Sequence, residues 1–202
     1  MVAAIVPHRT SGNTLPLLVC DNLSPAECAR VSCLLLANFC SYCFDYIARQ
    51  KAQGTHLNWY SVEQLPVIAP ARFIEPLPTA FATAMRAAKL MNGHHPQPTV
   101  ADFVVPQVLA LTYTAHDMAP FARDLGFVDA QGVVLPPFVW NDEERRTRLA
   151  ALDALFFYLY GINADDTAYM LNTFPIVREQ DMKAFGRYRT ADDILANLQF
   201  FL

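Results

Sequence analysis

Apolar residues recur at helical spacing along most of the chain, and residue types that begin and end helices separate these stretches. The clearest helix start is at residues 24–27, Ser-Pro-Ala-Glu. The serine caps the helix and the glutamate three residues later completes a capping box that satisfies backbone N–H donors, while the proline suits the first helical position. The pattern then predicts a long helix with a basic end at Lys51, before Gly54, which suits a left-handed turn. Asn38 and Ser41 are candidate break points in this helix.

The second half of the chain is also predicted to be helical. The boundary residues of three helical stretches are Pro78 and Met91, Pro106 and Gly126, and Asn141 and Gly161. The sequences 163–166 and 190–193 repeat the cap-x-x-acid pattern and predict two shorter helices. The predicted core face of the helix that follows Asn141 is Leu149, Leu152, Phe156 and Leu159.

The N-terminal third contains the only strand-like patterns that we identify. Short apolar runs at 3–6 and 15–20 flank a polar turn and predict a hairpin, and residues 54–70 predict an extended arm with a proline-rich exit. The predicted fold is therefore mainly α, a helical C-terminal bundle with a small β element (α+β) in the N-terminal third. We predict two units, residues 1–70 and 71–202.

Composition limits the function classes. The 202 residues are 53% hydrophobic and 17% charged, which is enough apolar material for a core. The formal net charge of −4 excludes a global positive field, so any contact with nucleic acid has to be local. We identify no secretory signal and no apolar run of about 18 residues, and we therefore expect a cytoplasmic protein with no membrane partner.

The five cysteines are Cys20, Cys28, Cys33, Cys40 and Cys43, an odd number in one early stretch that makes a poor disulfide framework. Cys40 and Cys43 form a single CxxC motif, for which a zinc site is one interpretation. Cys33, Cys40 and Cys43 share one side of the predicted helix, and one rigid helix cannot surround a tetrahedral ion. We therefore expect reduced thiols that pack in the core.

Other candidate chemistry is weak. The pairs Asp165/Asp166 and Asp192/Asp193 lie in first helical turns, where the helix dipole alone favours them. Asp181 and Lys183 form half of a metal-dependent nuclease motif without its Pro-Asp partner. The chain has no GxGxxG or GxxxxGK[ST] loop and no Asn/Asp-Pro-Pro-aromatic tetrapeptide. These absences favour a recognition or assembly module without catalytic residues, metal or cofactor of its own.

Residues 33–70, CLLLANFCSYCFDYIARQKAQGTHLNWYSVEQLPVIAP, resemble the end of the target-recognition domain of bacterial type IIG-like restriction-modification DNA adenine methylases. There is a looser similarity to type I specificity subunits. In that family a helix with a basic end is followed by a Gly-Thr turn, an Asn-containing arm and a Leu-Pro exit. The matching residues here are Asn38, Ser41, Phe44, Asp45, Arg49, Gln50, Lys51, Gly54, Thr55, Asn58, Gln64, Leu65 and Pro66, while Cys40 stands where the family commonly has Asn or Ser.

A second stretch, residues 109–190, resembles the C-terminal helical extension of the same enzymes, most specifically at TFPIV and YRT. The resemblance implies a fragment of a larger enzyme whose methylase core and nuclease domain are missing from this chain. S-adenosylmethionine and Mg²⁺ would belong to that parent enzyme. Duplex DNA is the implied partner, together with the missing methylase core or subunit.

The resemblance also implies DNA-binding residues, with cations on phosphates and arm side chains on base edges. They are Arg49, Lys51, Thr55, His56, Asn58, Tyr60, Arg187 and Arg189. Without the resemblance, the interpretation is that Arg49 and Lys51 merely neutralise the partial negative charge at the C-terminus of the helix, and that Tyr60 is a core residue. Arg187 and Arg189 belong to a second basic region, together with Arg178 and Lys183. This region either contacts the duplex backbone or pairs with Glu179 and Asp181. The alternative function is a helical protein-interaction or scaffold module without DNA binding.

Overall fold

The computed structural model of the chain describes residues 3–7, 17–51, 59–91 and 96–201. Within these ranges the chain is mainly helical, which confirms the main part of the fold prediction. The helices are α1 (Pro25–Cys40), α2 (Tyr42–Lys51), α3 (Trp59–Val62), α4 (Pro70–Phe73), α5 (Thr79–Ala87), α6 (Val100–Thr112), α7 (Ala119–Asp124), α8 (Asp142–Leu159), α9 (Ala164–Asn172), α10 (Pro175–Phe185) and α11 (Arg189–Leu198). Short 3-10 segments lie at His116–Met118 and Gln199–Phe201.

The described ranges contain no strand, only two isolated antiparallel bridges, Pro76 with Thr99 and Val128 with Val134. Residues 3–7 and 17–20 have no regular structure, and the remainder of the predicted hairpin lies outside the described residues. The prediction of an extended arm is wrong at α3. There, turn hydrogen bonds from the N–H of Gln64 to Ser61 O (3.2 Å) and from that of Leu65 to Val62 O (3.0 Å) satisfy the backbone without a neighbouring strand.

Local capping sets several helix boundaries, as predicted. The N–H of Glu27 donates to Ser24 Oγ at 3.3 Å and completes the capping box of α1. The side chains of Asn141 and Asn163 accept from the backbone at the starts of α8 and α9. Gly161, with a φ of +72°, follows the end of α8.

Two predicted helix starts are wrong, because tertiary contacts override the local signal. Pro106 lies inside α6, whose start is a capping box between Thr99 and Asp102. Burial of most of this helix outweighs the cost of an interior proline, which is about 3 kcal/mol. Thr190 lies within α11 instead of capping it, because its N–H donates to the Asp181 carboxylate of α10 at 2.6 Å.

Helix α8 is the centre of the bundle and is buried on opposite sides. One side joins α1, α5 and α6 in a cluster that includes Ala151, Leu152, Leu155, Phe156 and Leu159. The other side joins α2, α9 and α11 in a cluster that includes Ala150, Ala154 and Phe157. Cys33 before residue 70 and Phe103 after it belong to the first cluster, so side chains from both predicted units share it.

Two details of the predicted core are wrong. Leu149 is 45% exposed, whereas its predicted partners Leu152, Phe156 and Leu159 are buried. Cys33 and Cys43 are buried as predicted, but Cys40 is exposed, because α1 ends at Cys40 and the chain changes direction before α2. All five cysteines are free thiols.

In the described part of the chain no single helix combines the length and the apolar character that a membrane span requires. Helices α1 and α2 meet both criteria only when taken together, across a bend of 66°.

Candidate nucleic-acid interface

The position of α2 depends on the break after α1, which occurs at Ser41 as the sequence predicts. Ser41 Oγ donates to Asn38 O at 2.8 Å and accepts from the N–H of Phe44 at 3.3 Å, so one hydroxyl closes α1 and opens α2. The fully buried Asn38 side chain donates to the Tyr160 hydroxyl at 2.7 Å and accepts from the N–H of Ile68 at 3.0 Å. These bonds attach the bend to the end of α8 and to the chain that follows α3.

Asp153, in the middle of α8, receives the first turn of α2. Its Oδ1 accepts from the N–H of Tyr42 at 2.8 Å, and the residue is only 7% exposed. Burial raises the pKa of the Asp153 carboxyl to about 7, and the hydrogen bond from Tyr42 acts in the opposite direction. A buried carboxyl group therefore fixes the start of the helix whose other end carries the predicted cations.

Arg49 lies in the last turn of α2 and is oriented by two neighbours. Its Nε donates to Asp45 Oδ2 at 3.0 Å, and an Nη atom lies 2.8 Å from the same oxygen. The guanidinium carbon also lies 4.6 Å from the centre of the Phe174 ring, at the start of α10. The side chain is nevertheless 57% exposed, so Arg49 is both held and accessible.

Lys51 ends α2 and is exposed, and Tyr60 in α3 is 75% exposed. The burial expected for Tyr60 without the resemblance is therefore wrong. Thr55, His56 and Asn58 lie outside the described residues, as does Gly54 of the predicted turn. The described residues thus place two of the predicted cations together at one helix end, with Tyr60 exposed on the next helix along the chain.

The two C-terminal arginines of the prediction have acidic partners. Arg187 lies 3.1 Å from Asp192. Arg189 binds both carboxylate oxygens of Glu143, lies 3.3 Å from Asp193, and has its guanidinium carbon 4.9 Å from the centre of the Phe185 ring. The acidic partners are different from Glu179 and Asp181, which the sequence suggested.

Asp181, half of the nuclease-like motif, is a structural residue in this fold. One carboxylate oxygen accepts the Thr190 N–H, and the other lies 3.5 Å from Arg146. The side chain is 7% exposed. Residues 3–7, 17–51, 59–91 and 96–201 contain no group of three or more His, Cys, Asp or Glu side chains suited to a metal ion. The contacts of Asp181 leave little of its carboxylate available for a metal.

The sequence analysis missed the role of Phe174. Its ring is 3% exposed, carries Arg49 on one face, and makes an edge contact with Tyr42 at 4.9 Å between ring centres. These contacts join α10 to both ends of α2. No local pattern indicates a contact between residues so far apart in the chain, although Phe174 belongs to the TFPIV stretch of the resemblance.

Comparisons of the chain with protein-family models, with curated proteins and with solved structures gave no match.

Proposed function

We propose that this chain is the non-catalytic DNA target-recognition and positioning module of a bacterial restriction-modification enzyme, acting in the cytoplasm. Its partner is duplex DNA. The methylase core would come from the rest of the parent enzyme, as would the sites for S-adenosylmethionine and Mg²⁺. The chain itself holds and orients the DNA.

The observation that carries the proposal is the pair of exposed cations at the end of α2. Arg49 is oriented by Asp45 and Phe174 while more than half of its side chain remains exposed. A guanidinium has five N–H donors, so donors remain for a phosphate after the contacts with Asp45. Lys51 adds a second exposed charge two residues later. These contacts suit backbone binding, which positions a protein on DNA.

Sequence readout is assigned to the segment that follows α2. In this proposal Thr55, His56 and Asn58 approach base edges. The Asn amide has the donor and acceptor pair that suits adenine in the major groove. Tyr60 of α3 is exposed, and the proposal assigns it to the same surface. Arg187 and Arg189 stabilise the bundle through their ion pairs, and any DNA contact they make is secondary.

The test is binding of the full chain to a short mixed-sequence duplex, measured by fluorescence anisotropy between about 50 and 200 mM salt. Log affinity falls with log salt concentration, and each lost phosphate contact reduces the magnitude of this slope by about 0.9. The double variant R49A/K51A should therefore have a slope that is smaller in magnitude by almost two, and it should bind more weakly to every sequence. The matched control is R123A, which removes an exposed arginine of α7, a helix that packs in a separate cluster.

A second function, a helical protein-interaction module, is favoured by a different observation. Val139 and Trp140, just before α8, are 89% and 62% exposed, and exposed apolar groups commonly mark protein contacts. Sedimentation of the same samples separates the two functions. Association that is insensitive to salt, without duplex binding, would support the interaction module and refute the DNA proposal.

A further inference from the structure

Arg178, in the first half of α10, differs from most arginines around it. Arg146, Arg187 and Arg189 each have a carboxylate partner within 4.0 Å. Arg178 is exposed, and no acidic side chain of the described ranges forms an ion pair with it. A guanidinium is always charged at physiological pH, so Arg178 presents an uncompensated positive charge to the solvent.

Arg178 lies one helical turn after Phe174, the residue whose ring contacts Arg49. The N–H of Arg178 donates to Phe174 O at 3.1 Å, and the ring of the same Phe174 carries the Arg49 guanidinium at 4.6 Å. Phe174 thus contacts the backbone of Arg178 through its carbonyl group and the guanidinium of Arg49 through its ring. It therefore links α10, which carries Arg178, to the end of α2, which carries Arg49 and Lys51.

The junction is rigid because its aromatic residues are packed. Phe174 is buried between Arg49 and Tyr42, and the Tyr188 hydroxyl donates to Leu171 O at 2.9 Å at the end of α9. Burial raises the pKa of Tyr188 to about 12, with a smaller contribution in the same direction from Asp181, and the charge of Arg178 acts in the opposite direction.

We propose that Arg178 is a DNA-backbone contact that extends the phosphate-binding surface from α2 across the Phe174 junction onto α10. This inference rests on the proposed function and chooses, for Arg178, backbone contact over the pairing with Glu179 and Asp181 that the sequence left open. The ligand is the phosphodiester backbone, because an exposed guanidinium on a helix matches a phosphate by charge and by paired donors. Arg178 adds affinity and orientation without reading sequence.

The ion pairs also separate Arg178 from the other two C-terminal arginines of the prediction. Binding of DNA by Arg187 or Arg189 requires that an existing ion pair be broken or shared, whereas Arg178 has no such competitor in the described part of the chain. Of these three arginines, Arg178 should therefore have the largest effect on DNA binding when it is replaced.

The experiment compares R178A, R178K and the control R123A with the wild-type chain in salt titrations on two duplexes of unrelated sequence. R178A should reduce the magnitude of the salt slope by about one and weaken binding to both duplexes equally. R178K should keep most of the slope and bind less tightly than wild type, because lysine retains the charge without the paired donors. Circular dichroism melts establish that each variant is folded.

The outcomes separate this proposal from the one on which it rests. If R49A/K51A weakens binding while R178A titrates like the wild type, the contact on α10 is wrong and the proposed function stands. If R178A weakens only one of the two duplexes, Arg178 reads bases, and its assignment to the backbone is overturned. If the wild-type chain shows no salt-dependent binding, the proposed function fails and this extension fails with it.

Discussion

Replacement of Asp153 by asparagine should stabilise the chain at alkaline pH, because the native carboxyl group is buried without a cationic partner in the described residues. Among the described residues, its one hydrogen bond comes from the N–H of Tyr42 at 2.8 Å. An asparagine has the same shape and keeps a carbonyl oxygen to accept that bond. The D153N variant therefore removes the ionisable group and preserves the contact that starts α2.

The magnitude follows from the pKa of this group. An ordinary aspartate pKa of 3.8 rises to about 7 in the folded chain, because burial disfavours the charged form. Between these values the unfolded chain has released the proton and the folded chain retains it. The free energy of unfolding consequently falls as pH rises from about 4 to 7 and then levels off. The difference amounts to at most about 4 kcal/mol, at 1.36 kcal/mol for each pH unit.

The assay is urea unfolding followed by circular dichroism at pH 5 and at pH 8. The wild type should lose stability between the two pH values, relative to D153N, and the variant should be the more stable protein at pH 8. The control is D165N, which neutralises an exposed carboxylate in the first turn of α9 and should keep the pH dependence of the wild type.

The opposite result is equally clear. If D153N is less stable than the wild type by the same amount at both pH values, the carboxylate is ionised in the folded state at both. In that case the first turn of α2 compensates its charge fully, and the argument from burial is refuted.

Two further predictions concern the bend and the core. Asn38→Ala leaves the buried N–H of Ile68 without its acceptor and should lower the free energy of unfolding by about 1–3 kcal/mol. Asn172→Ala, at an exposed position, should have a small effect in the same urea titration. Burial raises the pKa values of Cys33 and Cys43 to about 12, so both thiols should resist iodoacetamide in the folded chain at pH 8. Peptide mapping by mass spectrometry would refute this expectation if either cysteine is alkylated before the chain unfolds.

Helix boundaries that depend on neighbouring residues were predictable from the sequence. Ser24 and Asn141 cap their helices because the acceptor and the donors lie within one turn of each other. The start of α11 was not predictable in the same way, since Asp181 from another helix takes the N–H of Thr190. Leu149 fits the helical spacing of a core residue but faces solvent, because the position of neighbouring helices decides which side of α8 is covered.

The same distinction applies to the candidate site. The basic end of α2 was predictable because Arg49 and Lys51 stand at a helix end in the sequence itself. The Phe174 ring beneath Arg49 comes from the packing of α2 against the junction of α9 and α10. Contacts between distant segments leave no periodic trace in a single sequence, so these features required the fold.

The bonds around the bend between α1 and α2 have a consequence for how such a protein could be redesigned. Asp153, in the middle of α8, accepts the N–H of Tyr42 in the first turn of α2. Tyr160, at the end of α8, donates its hydroxyl hydrogen to the carbonyl of Pro66. Tyr42 precedes the stretch from Lys51 to Trp59 in the chain, and Pro66 follows it. Both attachments therefore depend on α8 and the residue that follows it. We expect that replacement of the sequence between Lys51 and Trp59 would leave these two hydrogen bonds in place.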